Sequence, residues 1–343
     1  MFSGCYTALI TPMNSQGLDV ESLRKLVEFQ VSCDVSGILA VGTTGESPTL
    51  DWTEHDMVIE KVHEFADGKC ITIGGTGSNS TAETIRGTEH AVKSGVEAVL
   101  LVDPYYNGPS SLEIRREYVE VIAKAFPDTS VIPYVIPGRT GTKLLPEDLA
   151  TAYKNYPNVC AVKEATEDFD NMRRTRECCG EDFVILSGDD GKTLDMMIDP
   201  AIKAAGVISV ASNIAPAAVQ KMTENLAKGE IEEGKKMAQA LEPLFGIVTV
   251  KTEEETPYGT VICKARNPLG TKTLMNIIGM PSGPCRQPLG KMTEKGIQVV
   301  VDAAKKVYKN NPEILKPVED FFGVNLEERL NDKKFCQELY YED

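Results

Sequence analysis

Eight short apolar runs, each followed by a stretch with helical spacing, constrain this chain more than any other feature. The runs fall at residues 5–10, 37–41, 70–73, 98–102, 130–135, 159–163, 183–186 and 206–210. The helical stretches lie between and after them, at 20–31, 54–65, 81–92, 114–125, 146–153, 171–178, 193–204 and 217–227. Strict alternation of this kind predicts an α/β protein with a parallel sheet. Eight units fit a closed (β/α)8 TIM barrel in count and size; a doubly wound open sheet is the other arrangement, and it usually has fewer strands. The barrel is expected over residues 1–229, with a C-terminal helical domain and extended tail over 230–343. In that second part, 231–245 and 293–307 read as helices, Thr256-Pro257 as the opening of another, and 281–288 as a connector. The final stretch is charged, with Phe321, Phe322, Phe335, Tyr340 and Tyr341 scattered through it. It is expected to pack on the body or on a neighbouring subunit, or to form a partly mobile helical tail.

A barrel places its active site at the carboxyl ends of its strands, so the residues that close each run carry the functional signal. The run Val159-Cys-Ala-Val-Lys163 ends on a lysine. Taken alone, a solvated lysine after a strand is the commoner meaning. With its stem among apolar neighbours, however, the amine is partly desolvated, its pKa falls, and the neutral form attacks ketones to give a Schiff base. The second run is followed by Gly42-Thr43-Thr44-Gly45-Glu46-Ser47, whose backbone N–H groups and hydroxyls suit a small carboxylate. The fourth is followed by Asp103-Pro104-Tyr105-Tyr106-Asn107, and the fifth holds Tyr134 and leads to Arg139. Each of these has an ordinary structural meaning: packing tyrosines, a core tyrosine, a surface arginine. Arginine's planar fork also suits bidentate carboxylate binding. A lysine, a tyrosine, a hydroxyl pair and an arginine at one mouth make sense together for Schiff-base chemistry on a 2-oxo acid.

Other classes are disfavoured. The net charge of −15 argues against non-specific binding to nucleic acid or to anionic membranes. Only His55, His63 and His90 are present, and the nine cysteines lack metal-ligand spacing, so no metal is expected and the thiols are read as free in a reducing cytoplasm. No signal-peptide pattern opens the sequence, and no apolar run approaches the ~18 residues of a membrane span.

Gly42-Thr-Thr-Gly-Glu46, Pro104-Tyr-Tyr-Asn107, Tyr134…Arg139-Thr-Gly141 and Val162-Lys-Glu-Ala165 together resemble the signatures of the dihydrodipicolinate synthase family, pyruvate-dependent lyases of the class I aldolase type. The resemblance spans about residues 1–225, in order and at the right separations. It implies condensation of pyruvate with L-aspartate 4-semialdehyde to 4-hydroxy-tetrahydrodipicolinate, in diaminopimelate and lysine biosynthesis. It also implies no cofactor, small-molecule partners only and a cytoplasmic homotetramer. Lys163 would form the Schiff base, and Tyr134, Thr43 and Tyr106 of a neighbouring subunit would relay protons. Thr44 and the backbone at Gly45 would hold the pyruvate carboxylate, and Arg139 that of the semialdehyde. Gly188 and Ile208 would line the site. Ser47, Trp52, His55, Asn79, Glu83 and Tyr105 match positions of an allosteric lysine site in inhibited members, although each also reads as an ordinary helix-surface or interface residue.

The sequence departs from the family pattern in several places. Val135 stands where a small polar residue is usual and Asp103 where a hydroxyl is, and both bear on substrate detail. Residues 198–202 look like a short insertion, and the C-terminal region is longer than usual. Two rival readings stay open: another pyruvate aldolase of the family, acting on sialic acid or a 2-keto-3-deoxy sugar acid, and a non-catalytic sensor of pyruvate or lysine.

Overall fold

A computed structural model describes residues 2–342. The eight runs form strands β1 (Gly4–Ala8), β2 (Gly37–Ala40), β3 (Ile71–Gly75), β4 (Ala98–Val102), β5 (Ser130–Val135), β6 (Ala161–Glu164), β7 (Val184–Ser187) and β8 (Gly206–Ser209). All pair in parallel with their chain neighbours, and β1 pairs with β8, so the sheet closes into the expected (β/α)8 barrel. Side chains alternate across each strand, and the alternation sorts them into two apolar layers. Tyr6, Leu39, Ile73, Leu100, Ile132, Tyr134, Leu186 and Ile208 fill the interior. Ile38, Val99, Val131, Val135, Val162 and Ile185 face outward against the helices. Gly37 makes room inside: a Cβ there would stand 2.6 Å from the Tyr6 ring.

The helices begin where their first residues can satisfy free N–H groups. Asp51 and Glu54 form a reciprocal capping box at the start of Trp52–Ala66, Ser80 caps Thr81–Ser94, and Pro146 and Pro216 occupy first-turn positions. The helix expected over 193–204 stops at Ile198. The next residues, Asp199-Pro-Ala-Ile-Lys203, turn instead, with Lys203 N–H donating to Asp199 O at 2.9 Å.

The C-terminal part holds the main correction. No helix starts at Thr256. Instead β9 (Thr249–Thr256) and β10 (Gly259–Arg266) form an antiparallel hairpin, turning over Pro257 and Tyr258. Proline suits a turn as well as a first helical position, and the flanking Thr, Val and Ile are β-formers. The helix Leu269–Ile278 follows, buried along most of its length, and Glu294–Asn310 packs against it. The tail lies on the body: the Phe321 and Phe322 rings pack at a tilt, 5.3 and 5.1 Å from Phe29 of the first barrel helix, and Tyr340 bridges to Met292. Among the described residues, no helix is long and apolar enough to cross a membrane.

Candidate active site

Lys163 and Tyr134 are register partners on adjacent strands, both pointing into the barrel near its carboxyl end. The Lys163 ammonium nitrogen lies 4.1 Å from the centre of the Tyr134 ring, and each residue is 4% exposed. Burial pulls the amine down to about 7; the Asp190 carboxylate opposes this and the Arg139 cation adds to it. A substantial neutral fraction therefore exists near neutral pH. Burial pushes the Tyr134 phenol up to about 12, so it stays protonated and can donate, while Arg139 and the Thr43 hydroxyl pull the other way. Gly188 lets β7 close over the lysine, since a Cβ there would sit 3.2 Å from Lys163 Cγ and 2.8 Å from Ala165 Cβ. Ile208 lies in the interior layer with Tyr134.

The turn after β2 is tight. Val41 and Glu46 have φ of +50° and +58°, a region that a β-branched residue rarely enters, and Gly45 N–H donates to Gly42 O. Its residues are braced by the distant C-terminal segment. Asn267, just past the hairpin, donates through Nδ2 to the buried Thr44 hydroxyl at 3.0 Å. Lys272 donates to Glu46 Oε1 at 2.7 Å and also to the carbonyls of Thr11 and Pro284. Arg286 N–H donates to Glu46 Oε2. The Lys272–Glu46 pair is almost fully buried. Nothing local in the sequence marks Asn267 or Lys272 as part of a site; the Asn267-Pro268 dipeptide signals a turn.

Two clefts meet at this mouth. One, of about 750 Å³, is lined by Thr43, Ser47, Tyr105, Tyr134, Ile136 and Arg139, among others. The other, of about 1530 Å³, runs from Arg139, Gly188, Asp189 and Asp190 to the root of the hairpin. Arg139 lines both. Asp190 is held by Ser209 and by the N–H groups of Val210 and Ala211, which fixes its carboxylate beneath the second cleft. Tyr106 is not brought to Lys163 within one chain. It is 94% exposed, with a φ of +76°.

The positions matched to an allosteric site fall into linked groups. Asn79 accepts from the Tyr105 N–H at 2.7 Å, and Glu83 accepts from the Ser78 hydroxyl. Trp52 packs 4.8 Å from the ring of His55, which burial holds neutral with a pKa of about 4. The Arg86 guanidinium lies 5.1 Å over the Trp52 ring and pairs with Asp56.

The two departures near the site separate cleanly. Val135 faces outward and cannot touch a substrate in the barrel. Asp103 is buried at the end of β4; its Oδ2 accepts from Leu144 N–H at 3.0 Å while Oδ1 has no partner. Burial raises its pKa from 3.8 to about 7. The folded carboxyl holds its proton more tightly than the unfolded one, so this group favours folding at low pH and loses that advantage as pH rises from about 4 to about 7. Asp103→Asn keeps the acceptor for Leu144 and removes the charge. Its stability relative to the unsubstituted protein is expected to grow across that window, by on the order of 4 kcal/mol, and to level off above it. Urea unfolding at pH 5 and pH 8 checks this; an equal difference at both would refute it.

Comparison with known proteins bears on the family and the fold. Residues 1–307 match the model of the "Dihydrodipicolinate synthetase family". A 4-hydroxy-tetrahydrodipicolinate synthase of Methanococcus maripaludis is 38% identical over 291 residues, 85% of this chain and 93% of its own. A synthase from Cyanidioschyzon merolae, solved with lysine bound, superposes with a TM-score of 0.80 at 32% identity, covering 89% of this chain and 98% of that one. The enzyme of Acinetobacter baumannii, solved in complex with pyruvate, gives 0.81 at 31% identity, covering 90% and 99%. With matches over most of both chains and a barrel of the same kind, the chain belongs to the dihydrodipicolinate synthetase family.

Proposed function

We propose that the protein condenses pyruvate with L-aspartate 4-semialdehyde through a Schiff base on Lys163, giving 4-hydroxy-tetrahydrodipicolinate. The observation that carries this reading is the buried Lys163 amine, depressed to about 7 and seated 4.1 Å over the Tyr134 ring. The neutral amine adds to C2 of pyruvate, and water leaves to give an iminium. The iminium draws electrons from the methyl group, which loses a proton to become an enamine. The enamine carbon attacks the aldehyde carbon of the semialdehyde, and the new alkoxide takes a proton. The acceptor's own amine then displaces Lys163 as the ring closes, freeing the lysine for another turnover. Tyr134, with Thr43 beside it, shuttles these protons, a contribution of typically ~10²–10⁴-fold. Thr44 and the Gly45 backbone hold the pyruvate carboxylate, and Arg139 that of the semialdehyde. The iminium formed on Lys163 serves as the electron sink, so this route needs no cofactor.

The exposure of Tyr106 supports its reaching the proton relay of a second copy, in a homotetramer. A free lysine would place its ammonium at Glu83 and its stem toward Trp52, competing with Arg86 for that face. Titrating activity with lysine decides the latter point, and a flat response would rule it out.

The test of the main reading is intact mass after incubation with pyruvate and borohydride. A reduced pyruvyl adduct mapped to Lys163 is expected. Its absence on folded protein would bring the sensor reading forward. Side-by-side kcat/KM values on the semialdehyde and on sugar acids then separate the synthase from its aldolase relatives.

A further inference from the structure

The hairpin places three cations above the second cleft. Lys251 and Lys264 are direct cross-strand partners, and Thr249 pairs with Arg266 at the hairpin's root. With Arg139 across the cleft, Lys251, Lys264 and Arg266 line it. Like charges directly opposite on a hairpin are destabilising unless something offsets them. None of these four side chains has an ion-pair partner among the described residues, although Lys295 on the hairpin's other side pairs with Glu254. Arg266 also presses on Arg139, raising the cost of its positive charge. The protein as a whole carries −15 and repels small carboxylates. The barrel side of the cleft contributes Glu167, Asp189 and Asp190, while the charged residues that line it from the hairpin, Lys251, Lys264 and Arg266, are all cations. A positive field along that wall opposes the overall charge locally and raises the local concentration of anions.

We propose that Lys251, Lys264 and Arg266 form an anion-gathering vestibule that draws small carboxylate substrates to Lys163 against the negative charge of the rest of the surface. The inference rests on the Schiff-base reading for the identity of the substrates, and it adds a role for the hairpin. The cations hold no substrate atom during bond making; they act on arrival and occupancy. Their effect therefore appears in kcat/KM and fades as salt shortens the range of the field, to about 10 Å at 0.1 M ionic strength.

The experiment compares the unsubstituted protein with the triple variant Lys251→Gln, Lys264→Gln, Arg266→Gln. The rate of the pyruvate adduct is measured by borohydride trapping, and kcat/KM by turnover, across a range of ionic strength. At low salt the triple variant is expected to lose about tenfold in both, and the two proteins are expected to converge at high salt. Lys295→Gln, which removes a cation from the opposite side, is expected to keep the salt dependence of the unsubstituted protein. Equal salt dependence in the triple variant and the unsubstituted protein overturns the proposal. So does a loss that persists undiminished at high salt, which would mean a structural role. If the unsubstituted protein forms no adduct at any salt, it is the Schiff-base reading that fails, and the two failures are told apart.

Discussion

Lys163→Met is expected to abolish the pyruvate adduct and to lower kcat by at least on the order of 10⁴-fold, the scale of loss when a nucleophile is removed from a set of groups that act as a unit. It is also expected to make the protein more stable at neutral pH. The lysine's pKa falls from 10.5 to about 7 on folding. Between those values the unfolded chain binds more protons than the folded one, so stability rises with pH there, and the full penalty of the buried amine is present at and below about pH 7. At 1.36 kcal/mol per pH unit that penalty is on the order of 4–5 kcal/mol. Methionine fills the stem's volume without a charge and escapes the penalty. A variant that is inactive and melts higher at pH 7, with the difference shrinking toward pH 10, is the expected result. A variant that melts lower at every pH would show that the amine is not held at a cost, and the account of its activation would fall.

The second large effect is expected at Lys272, far from the lysine in sequence and outside the barrel. Lys272→Met leaves the buried Glu46 carboxylate and the Thr11 and Pro284 carbonyls without the donor that now serves all three. Breaking a buried pair from one side typically costs about 3–5 kcal/mol, because the remaining charge is stranded. Differential scanning calorimetry is expected to show Tm lowered by roughly 5–10 °C at a few degrees per kcal/mol. Adding Glu46→Gln should recover most of it, since no charge is then stranded. Because Glu46 ends the turn that presents Thr43 and Thr44, KM for pyruvate is also expected to rise in the single variant. Unchanged Tm and KM would mean that the pair neither stabilises the fold nor shapes the turn.

The barrel was legible because its signals are local. Each strand is a short apolar run, and each helix is announced by spacing or by a cap within a few residues, as at Asp51 and Glu54. Lys163 was legible for the same reason: it ends its own run. The outward face of Val135 also follows from period-two alternation, once Tyr134 is placed inside. The hairpin was missed because Thr256-Pro257 satisfies two rules at once, and the β-branched residues on either side were the deciding signal. Asn267 and Lys272 were not legible at all. Their partners lie 223 and 226 residues away, and no local pattern reports a contact at that distance.

That separation also has a meaning in time. A chain made from its amino terminus has all eight barrel strands by Ser209 and has already made Lys163, Tyr134 and Arg139. The turn that presents Thr43 and Thr44 emerges among the first fifty residues, yet its braces at Asn267, Lys272 and Arg286 come near the end. Closing loops of this length costs entropy that grows only slowly with length, so the delay is kinetic more than energetic. On the Schiff-base reading, a nascent protein thus holds its proposed nucleophile before the turn proposed to receive the substrate is braced, and that bracing comes from a segment made after the barrel.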